Sequence, residues 1–260
     1  MVIAKKTGTW LVAAILMVMA LALGGPAVAD GLSLKDQPVA DTKRGVWFGG
    51  YDVVEGARYA FDGVILAFNR DLSKDGFALR AYGSRVDFDQ DPGDGRGWQG
   101  DVMLGYMFHR GDLHGSVYVG ADYQNYKLSP DDPTADVRGV EWGYKVAGDL
   151  ATSRDGPIYF ALSGSYSTAF DSYWSRVRYG FNRSRFTFGV EGQAFGNEEF
   201  DAQRLGAFLT FDVNLRPGTP IEITIAGGHQ FVNDPTGGGV TTTTGGGEGT
   251  YASIVFSTAF

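Results

Sequence analysis

Residues 158–170 read IYFALSGSYSTAF, and their side chains alternate between the two faces of an extended chain. One face carries Ile158, Phe160, Leu162, Gly164, Tyr166, Thr168 and Phe170. The other carries Tyr159, Ala161, Ser163, Ser165, Ser167 and Ala169. Alternation with a period of two predicts a β-strand. It holds here for about thirteen residues, more than twice the length of an ordinary strand.

The same alternation recurs along the rest of the chain. In 173–181, for example, Tyr173, Val177 and Phe181 lie opposite Arg176 and Arg178. Only the strand around 59–70 lacks two distinct faces, because its run GVILAF is apolar on both. No helical pattern of useful length follows residue 30. The sequence predicts about twelve strands, at approximately 45–53, 59–70, 76–87, 97–109, 113–127, 139–151, 156–169, 172–182, 185–196, 202–214, 221–232 and 248–260.

Two all-β architectures use long alternating strands. A soluble barrel points its apolar face inward and its charges outward, whereas a transmembrane barrel points apolar side chains at lipid, between aromatic girdles. Aromatic residues near the ends of the apolar faces, such as Trp98 with Phe108 and Tyr173 with Phe181, favour the second. The opposite faces are built from Gly, Ser, Thr and a few charges. We therefore predict an antiparallel up-and-down transmembrane β-barrel, with a soluble periplasmic ligand-binding barrel as an alternative.

The N-terminus has the features of a secretory signal. Lys5 and Lys6 precede an apolar run at 11–23, and the small residues Ala27 and Ala29 suit a signal peptidase. The expected organisation is a cleaved signal peptide at 1–29, a short periplasmic segment at 30–44 and one barrel domain at 45–260. Removing two lysines would change the net charge from −8 to about −10. An acidic surface argues against nucleic acid as a partner.

Connection lengths predict the orientation. The longest connections, at about 88–96, 128–138 and 232–247, follow predicted strands 3, 5 and 11, whereas the shortest, at 111–112 and 183–184, follow strands 4 and 8. Bacterial barrels have short periplasmic turns and longer outer loops. Odd-numbered connections are therefore expected outside, with both termini on the periplasmic side.

The last ten residues, YASIVFSTAF, read as the closing strand. Ile254, Phe256 and Phe260 share one face, although Thr258 interrupts it. A closed barrel requires its last strand to pair with its first, because lipid leaves no water for unpaired backbone groups. Alternating apolar residues ending in Phe resemble the C-terminal signal of outer-membrane barrels, so Phe260 is the expected assembly signal.

No catalytic or metal site is predicted, and no cofactor. The histidines His109 and His114 flank the turn at 111–112, whereas His229 is expected near the other end of the barrel. The acidic segment at 87–94 resembles a calcium loop, but Pro92 stands where that loop requires Gly. The Gly- and Thr-rich run at 237–248 is typical of a flexible loop.

The predicted lumen is the candidate site. Its polar residues suit one of two roles: cross-strand charge pairs that rigidify a narrow barrel, or contacts to a glycan, with aromatic rings stacking on sugars. The candidate residues are Tyr82, Asp101, Tyr118, Asp122, Glu141, Lys145, Tyr159, Trp174, Arg176, Arg178, Glu191, Arg204 and Asp212.

Three stretches resemble the cellulose biosynthesis protein BcsS family of Gram-negative bacteria. They are VWFGGYDVVEGARYAFDGV at 46–64, VYVGADYQNYKLSPDDPTADVRGV at 117–140, and SYSTAFDSYWSRVRYGFNR at 165–183 with its continuation FGNEEFDAQRLGAFLTFD at 195–212. The resemblance implies a role in cellulose synthesis or export and brings no catalytic residues with it.

The expected function is therefore a non-enzymatic outer-membrane accessory of cellulose biosynthesis. A porin-like channel for oligosaccharides or other solutes, and a barrel enzyme acting on lipid or glycan, are the alternatives. Expected partners are outer-membrane lipid and lipopolysaccharide, the barrel-assembly machinery, and cellulose synthase or export components or nascent glucan.

Overall fold

Twelve antiparallel strands close into a single barrel, as predicted. The computed structural model describes residues 43–89, 93–216, 219–233 and 246–260. The predicted signal peptide, most of the 30–44 segment and most of the Gly- and Thr-rich run lie outside these residues. The strands are β1 (Gly45–Val54), β2 (Ala57–Ala67), β3 (Gly76–Asp89), β4 (Asp94–Arg110), β5 (Leu113–Ser129), β6 (Gly139–Thr152), β7 (Ile158–Ser167), β8 (Tyr173–Arg183), β9 (Phe186–Gly196), β10 (Asp201–Arg216), β11 (Thr219–Asn233) and β12 (Gly249–Ala259).

The barrel closes between β1 and β12. Their register runs from Val46 opposite Ala259 to Val53 opposite Ala252. Phe260 extends the seam, because its N–H donates to the Gly45 carbonyl at 2.9 Å and its own carbonyl accepts from the Gly45 N–H at 3.1 Å. We call the rim where β1 begins and β12 ends the terminal end, and the opposite rim the distal end. Closure leaves no sheet edge along this seam, as a lipid environment demands.

The outward face is apolar and the inward face polar. Val119, Trp142 and Leu205 are 58%, 70% and 63% exposed on the outer surface, and many other large apolar side chains are exposed as well. Charged residues such as Asp101, Lys145 and Glu191 are buried inside. This reverses the arrangement of a soluble barrel and matches that of a transmembrane barrel. Within the described residues, no helix has the length and hydropathy needed to span a membrane.

Glycines on the inner wall make room for aromatic rings. A Cβ placed on Gly95 would lie 2.1 Å from the Phe88 ring, and one on Gly105 would lie 2.2 Å from the Tyr118 ring. In each case the ring comes from the adjacent strand and covers the glycine backbone. The abundance of glycine therefore has a packing reason, since a barrel of this width cannot hold a large side chain at every inward position.

The end of β7 differs from the prediction. The alternation at 158–170 predicts Thr168 and Phe170 on the outer face, but β7 ends at Ser167 and Ala169–Asp171 form a 3₁₀ turn. Phe170 has φ 50° and Asp171 has φ 46°. This left-handed backbone turns Phe170 inward, where it is buried against Tyr126 at a ring-centre distance of 5.4 Å. The burial of one aromatic ring at the distal end overrides the local pattern.

Two connections also differ from the prediction. The segment at 88–96 is mostly strand rather than loop, since β3 and β4 stay paired out to Asp89 opposite Asp94. The connection after β2 is longer than predicted, because β2 ends at Ala67 and β3 begins at Gly76. The two longest connections, 130–138 and 234–248, follow odd-numbered strands, as predicted, but the third longest, 68–75, follows the even-numbered β2.

Candidate functional site

Lys145 lies at the centre of the first polar group inside the barrel. Its Nζ is 2.8 Å from Asp101 Oδ2 and 3.7 Å from Asp122 Oδ1, and Arg80 Nη2 is 3.8 Å from Asp101. Gln124 Nε2 donates to Asp122 Oδ2 at 2.8 Å. These residues stand near the middle of β3 to β6, where alternation points them inward. Two positive and two negative charges neutralise one another, which buried ions require.

A second polar group joins the strands on the other side of the interior. Arg178 Nε is 2.8 Å from Glu191 Oε2, and the Tyr251 hydroxyl donates to Glu191 Oε1 at 2.8 Å. Arg204 Nη1 is 2.8 Å from Asp52 Oδ2, and Arg204 Nε donates to Gln230 Oε1 at 2.7 Å. Each guanidinium thus has a carboxylate partner.

Arg154 supplies a third group from a connection rather than a strand. It lies between β6 and β7 at the terminal end, yet its side chain is only 7% exposed. Nη1 is 2.8 Å from Glu222 Oε2 and 3.2 Å from Asp212 Oδ1, and Nε donates to Thr187 Oγ1 at 2.9 Å. The connection therefore reaches into the barrel and ties its terminal end together.

An apolar layer lines one side of the interior toward the terminal end. Leu72, from the connection after β2, is buried there with Ile65, Met103 and Met107. The Leu72 N–H donates to the Lys43 carbonyl at 2.9 Å, which holds the connection inward. This layer explains why β2 is apolar on both faces: one face meets the outside and the other meets this cluster. The cluster therefore occupies the β1 to β6 side of the interior toward the terminal end.

The distal connections pack against one another. The Glu198 N–H donates to the Phe170 carbonyl at 3.1 Å, and a Glu199 carboxylate oxygen accepts from the Asp136 N–H. Burial raises the pKa of Glu199, and the nearby Asp136 and Asp132 carboxylates add to the rise. The three connections at 130–138, 168–172 and 197–200 thus form one packed unit over part of the distal end.

The distal part of the interior between β7 and β9 remains partly exposed. Trp174 lies opposite Ser165 on β7 and Phe195 on β9, and Arg176 lies opposite Gln193. All five side chains point inward and are partly exposed. Since they face the interior, the surface they expose borders space inside the barrel. We call this space the distal recess.

The predicted lumen residues all face inward by strand register. The structure joins Lys145 with Asp101 and Asp122, and Arg178 with Glu191. Glu141 joins none of these three groups. Tyr118 and Tyr159 are buried and Tyr82 is packed between Arg80 and Lys145, so none of these three rings is free to stack on a sugar.

Sequence reasoning missed several members of the network. Asp52, Arg80 and Glu222 occupy inward positions that the period of two identifies, so the signal was present in the alternation. Arg154 gave no such signal, because it lies in a connection where no periodicity indicates direction.

The histidines lie at opposite ends of the barrel, in agreement with the prediction. His109 and His114 have ring centres 6.2 Å apart next to the terminal turn at 111–112. His229 faces outward near the distal end, with Nε2 3.8 Å from Glu248. Because of this separation, the two positions cannot combine in one catalytic centre. In the part of the chain that the structure describes, no three His, Cys, Asp or Glu residues form a metal-binding group.

A closed barrel with an apolar outer wall and buried ion pairs inside defines a transmembrane β-barrel. The chain belongs to the cellulose biosynthesis protein BcsS family, whose model matches residues 46–260. The match spans almost the whole barrel and confirms the resemblance seen in the sequence.

Solved structures with a similar chain path include a porin and a translocator domain. The KdgM porin in complex with disordered oligogalacturonate is 11% identical, with a TM-score of 0.45 over 83% of this chain and 99% of that one. The translocator domain of autotransporter NalP from Neisseria meningitidis is 10% identical, with a TM-score of 0.44 over 99% of both chains. At these values the likenesses say nothing about what the present chain binds. No curated protein matches the sequence.

Proposed function

We propose that this protein is a non-enzymatic accessory of bacterial cellulose biosynthesis or export that acts as a barrel in the outer membrane. The observation that carries the proposal is the family match, which covers the barrel from Val46 to Phe260. In the proposed orientation, the terminal end of the barrel faces the periplasm and the distal end faces the outside of the cell. Outer-membrane lipid and lipopolysaccharide would surround the barrel, and the barrel-assembly machinery would insert it.

The packed interior supports a scaffold rather than a solute channel. The Lys145 and Arg178 groups occupy the middle of the barrel, and the Leu72 cluster lies toward its terminal end on the β1 to β6 side. A porin instead keeps a water-filled lumen. A scaffold of this kind would organise components of the cellulose synthase or export apparatus, or contact glucan as it leaves the cell.

A chromosomal deletion tests the accessory role. We expect the deletion strain to produce less cellulose, or to show altered fibre morphology and surface attachment, and a plasmid copy of the gene should restore the wild-type values. Unchanged cellulose output, morphology and attachment in the deletion strain would refute the role.

Planar-bilayer recording separates the scaffold from a channel. The purified protein, refolded in detergent and inserted into a bilayer, should give no sustained open-pore current. Heat-modifiable gel migration provides the control that the barrel has folded. Stable conductance steps from folded wild-type protein would favour the channel instead.

A further inference from the structure

We propose that the distal recess is a blind-ended binding site for a segment of a neutral glucan. The recess is lined by Ser165, Trp174, Arg176, Gln193 and Phe195. This inference rests on the proposed function, because it names the ligand that the accessory would contact. It adds the place of contact and the chemistry that selects the ligand.

Trp174 has a position that membrane anchoring does not explain. Trp47, Trp98 and Trp142 are exposed on the outer surface, where tryptophan belongs to an aromatic girdle. Trp174 is the one tryptophan among the described residues that points into the barrel. The Arg176 guanidinium lies over its ring, 5.2 Å from the ring centre, and holds the indole in place. A fixed indole offers a flat apolar surface to the C–H face of a pyranose ring.

Polar groups suited to sugar hydroxyls surround this platform. Ser165 contributes a hydroxyl from β7 and Gln193 an amide oxygen from β9, each directly opposite a residue of β8. The Gln193 Nε2 already donates to Glu191 Oε1 at 2.8 Å. Ligand sites commonly combine aromatic surface with a few polar groups that fix orientation. The recess has this composition. The charged residues beneath it, Arg178 and Glu191, already bind each other.

The floor of the recess is closed. One inward position closer to the terminal end, Ser163, Arg178 and Glu191 are buried, at 2%, 4% and 1% exposure. Arg178 and Glu191 bind each other, and Tyr251 and Gln193 both donate to the other carboxylate oxygen of Glu191. A ligand in the recess must therefore enter and leave through the distal end. The geometry suits holding a chain segment, not conducting one.

The distal rim disfavours acidic polysaccharides. In the described residues of the distal connections, Arg138 is the single basic residue. The acidic residues there are Glu55, Asp131, Asp132, Asp136, Asp171, Glu198, Glu199 and Glu248. A negative mouth repels uronate polymers and leaves neutral glucans unaffected, since like charges across an interface oppose association. The described distal connections thus place an excess of acidic side chains at the mouth of the barrel.

Calorimetric titration of the refolded barrel with cellohexaose tests the proposal. We expect saturable binding by the wild type and at least tenfold weaker binding by Trp174→Ala. Trp142→Ala is the matched control, because that ring lies outside the barrel; its affinity should stay within twofold of wild type. Oligogalacturonate of equal length should not bind. Heat-modifiable migration must show that each variant is folded.

A second variant covers the case in which Trp174→Ala does not fold. Ser165→Phe fills the recess from the neighbouring strand and should block cellohexaose while leaving Trp174 in place. The proposal is overturned if folded wild type shows no saturable binding, if both variants bind as well as wild type, or if oligogalacturonate binds equally. If the deletion strain still makes less cellulose, the accessory role of the protein stands although this binding site is refuted.

Discussion

Arg204 on β10 binds Asp52 on β1 inside the barrel, with Nη1 2.8 Å from Oδ2. The two residues are 152 positions apart in sequence and belong to strands separated by β11 and β12. Arg204 also lies 4.7 Å over the Tyr251 ring. One side chain therefore links the first strand of the barrel to three of the last, across the closing seam.

Removing Arg204 should be costly. Arg204→Met leaves the Asp52 carboxylate buried without its cation, and loss of one partner of a buried pair costs about 3–5 kcal/mol. Urea unfolding in lipid vesicles measures the change in the free energy of unfolding. The double variant Arg204→Met with Asp52→Asn should recover part of the loss. The exposed pair Arg96 with Asp87 serves as a control, because Arg96→Ala should cost less than about 1 kcal/mol. Equal losses in the free energy of unfolding for Arg204→Met and Arg96→Ala would contradict a stabilising role of the buried pair.

Arg154 should stabilise the terminal end more than its position in a connection suggests. Arg154→Ala removes the cation shared by Asp212 and Glu222. We expect the temperature at which the folded band is lost in heat-modifiable gels to fall by several degrees. Arg183→Ala, at an exposed position near another terminal turn, should leave it unchanged. Indistinguishable melting of both variants would show that the Arg154 contacts contribute no stability.

Two valines test which surface meets lipid. Val119 in the middle of β5 and Val140 at the distal end of β6 are almost equally exposed, at 58% and 57%. An outward arginine costs about 2–4 kcal/mol at the bilayer midplane and about 0–1 near the interface. Val119→Arg should therefore weaken folding into vesicles far more than Val140→Arg. A barrel surrounded by water would tolerate both substitutions alike.

Two variants of Phe260 distinguish a role in assembly of the barrel from a role in its stability. Deleting it removes three backbone hydrogen bonds with Arg44 and Gly45 as well as the ring, whereas Phe260→Ala keeps the backbone bonds. Since the sequence predicts Phe260 as an assembly signal, both variants should lower the amount of folded protein in the outer membrane. Once folded, Phe260→Ala should unfold at nearly the wild-type urea concentration. Wild-type outer-membrane levels of the deletion variant would contradict the assembly role.

Glu199 should make the distal connections sensitive to pH. Because burial raises its pKa, the folded state favours the protonated form, so its stabilising effect is complete below the ordinary value of 4.5. The effect is lost as pH rises through the raised value. Limited proteolysis within 130–138 by a protease active from pH 4 to 7 should therefore accelerate as pH rises. Glu199→Gln should remove most of this dependence; an unchanged profile in that variant would exclude Glu199 as the cause.

The strands were predictable because their signal is local. Each inward or outward direction follows from a period of two, so residues such as Lys145 and Glu191 were placed inside without knowledge of the fold. The ends of strands were less predictable. Phe170 continues the alternation in sequence yet lies inside the barrel, because packing against Tyr126 determines its position.

Sequence alone determined the fold class, the number of strands, the face on which each strand carries its charges, and the family. These follow from backbone geometry, since neighbouring side chains of a strand must point in opposite directions. Only the tertiary structure decided which charges meet, that Leu72 and Arg154 fold inward from connections, and that Trp174 borders an internal recess. Those contacts join residues far apart in the chain, and their partners depend on barrel closure and register, which no local pattern encodes.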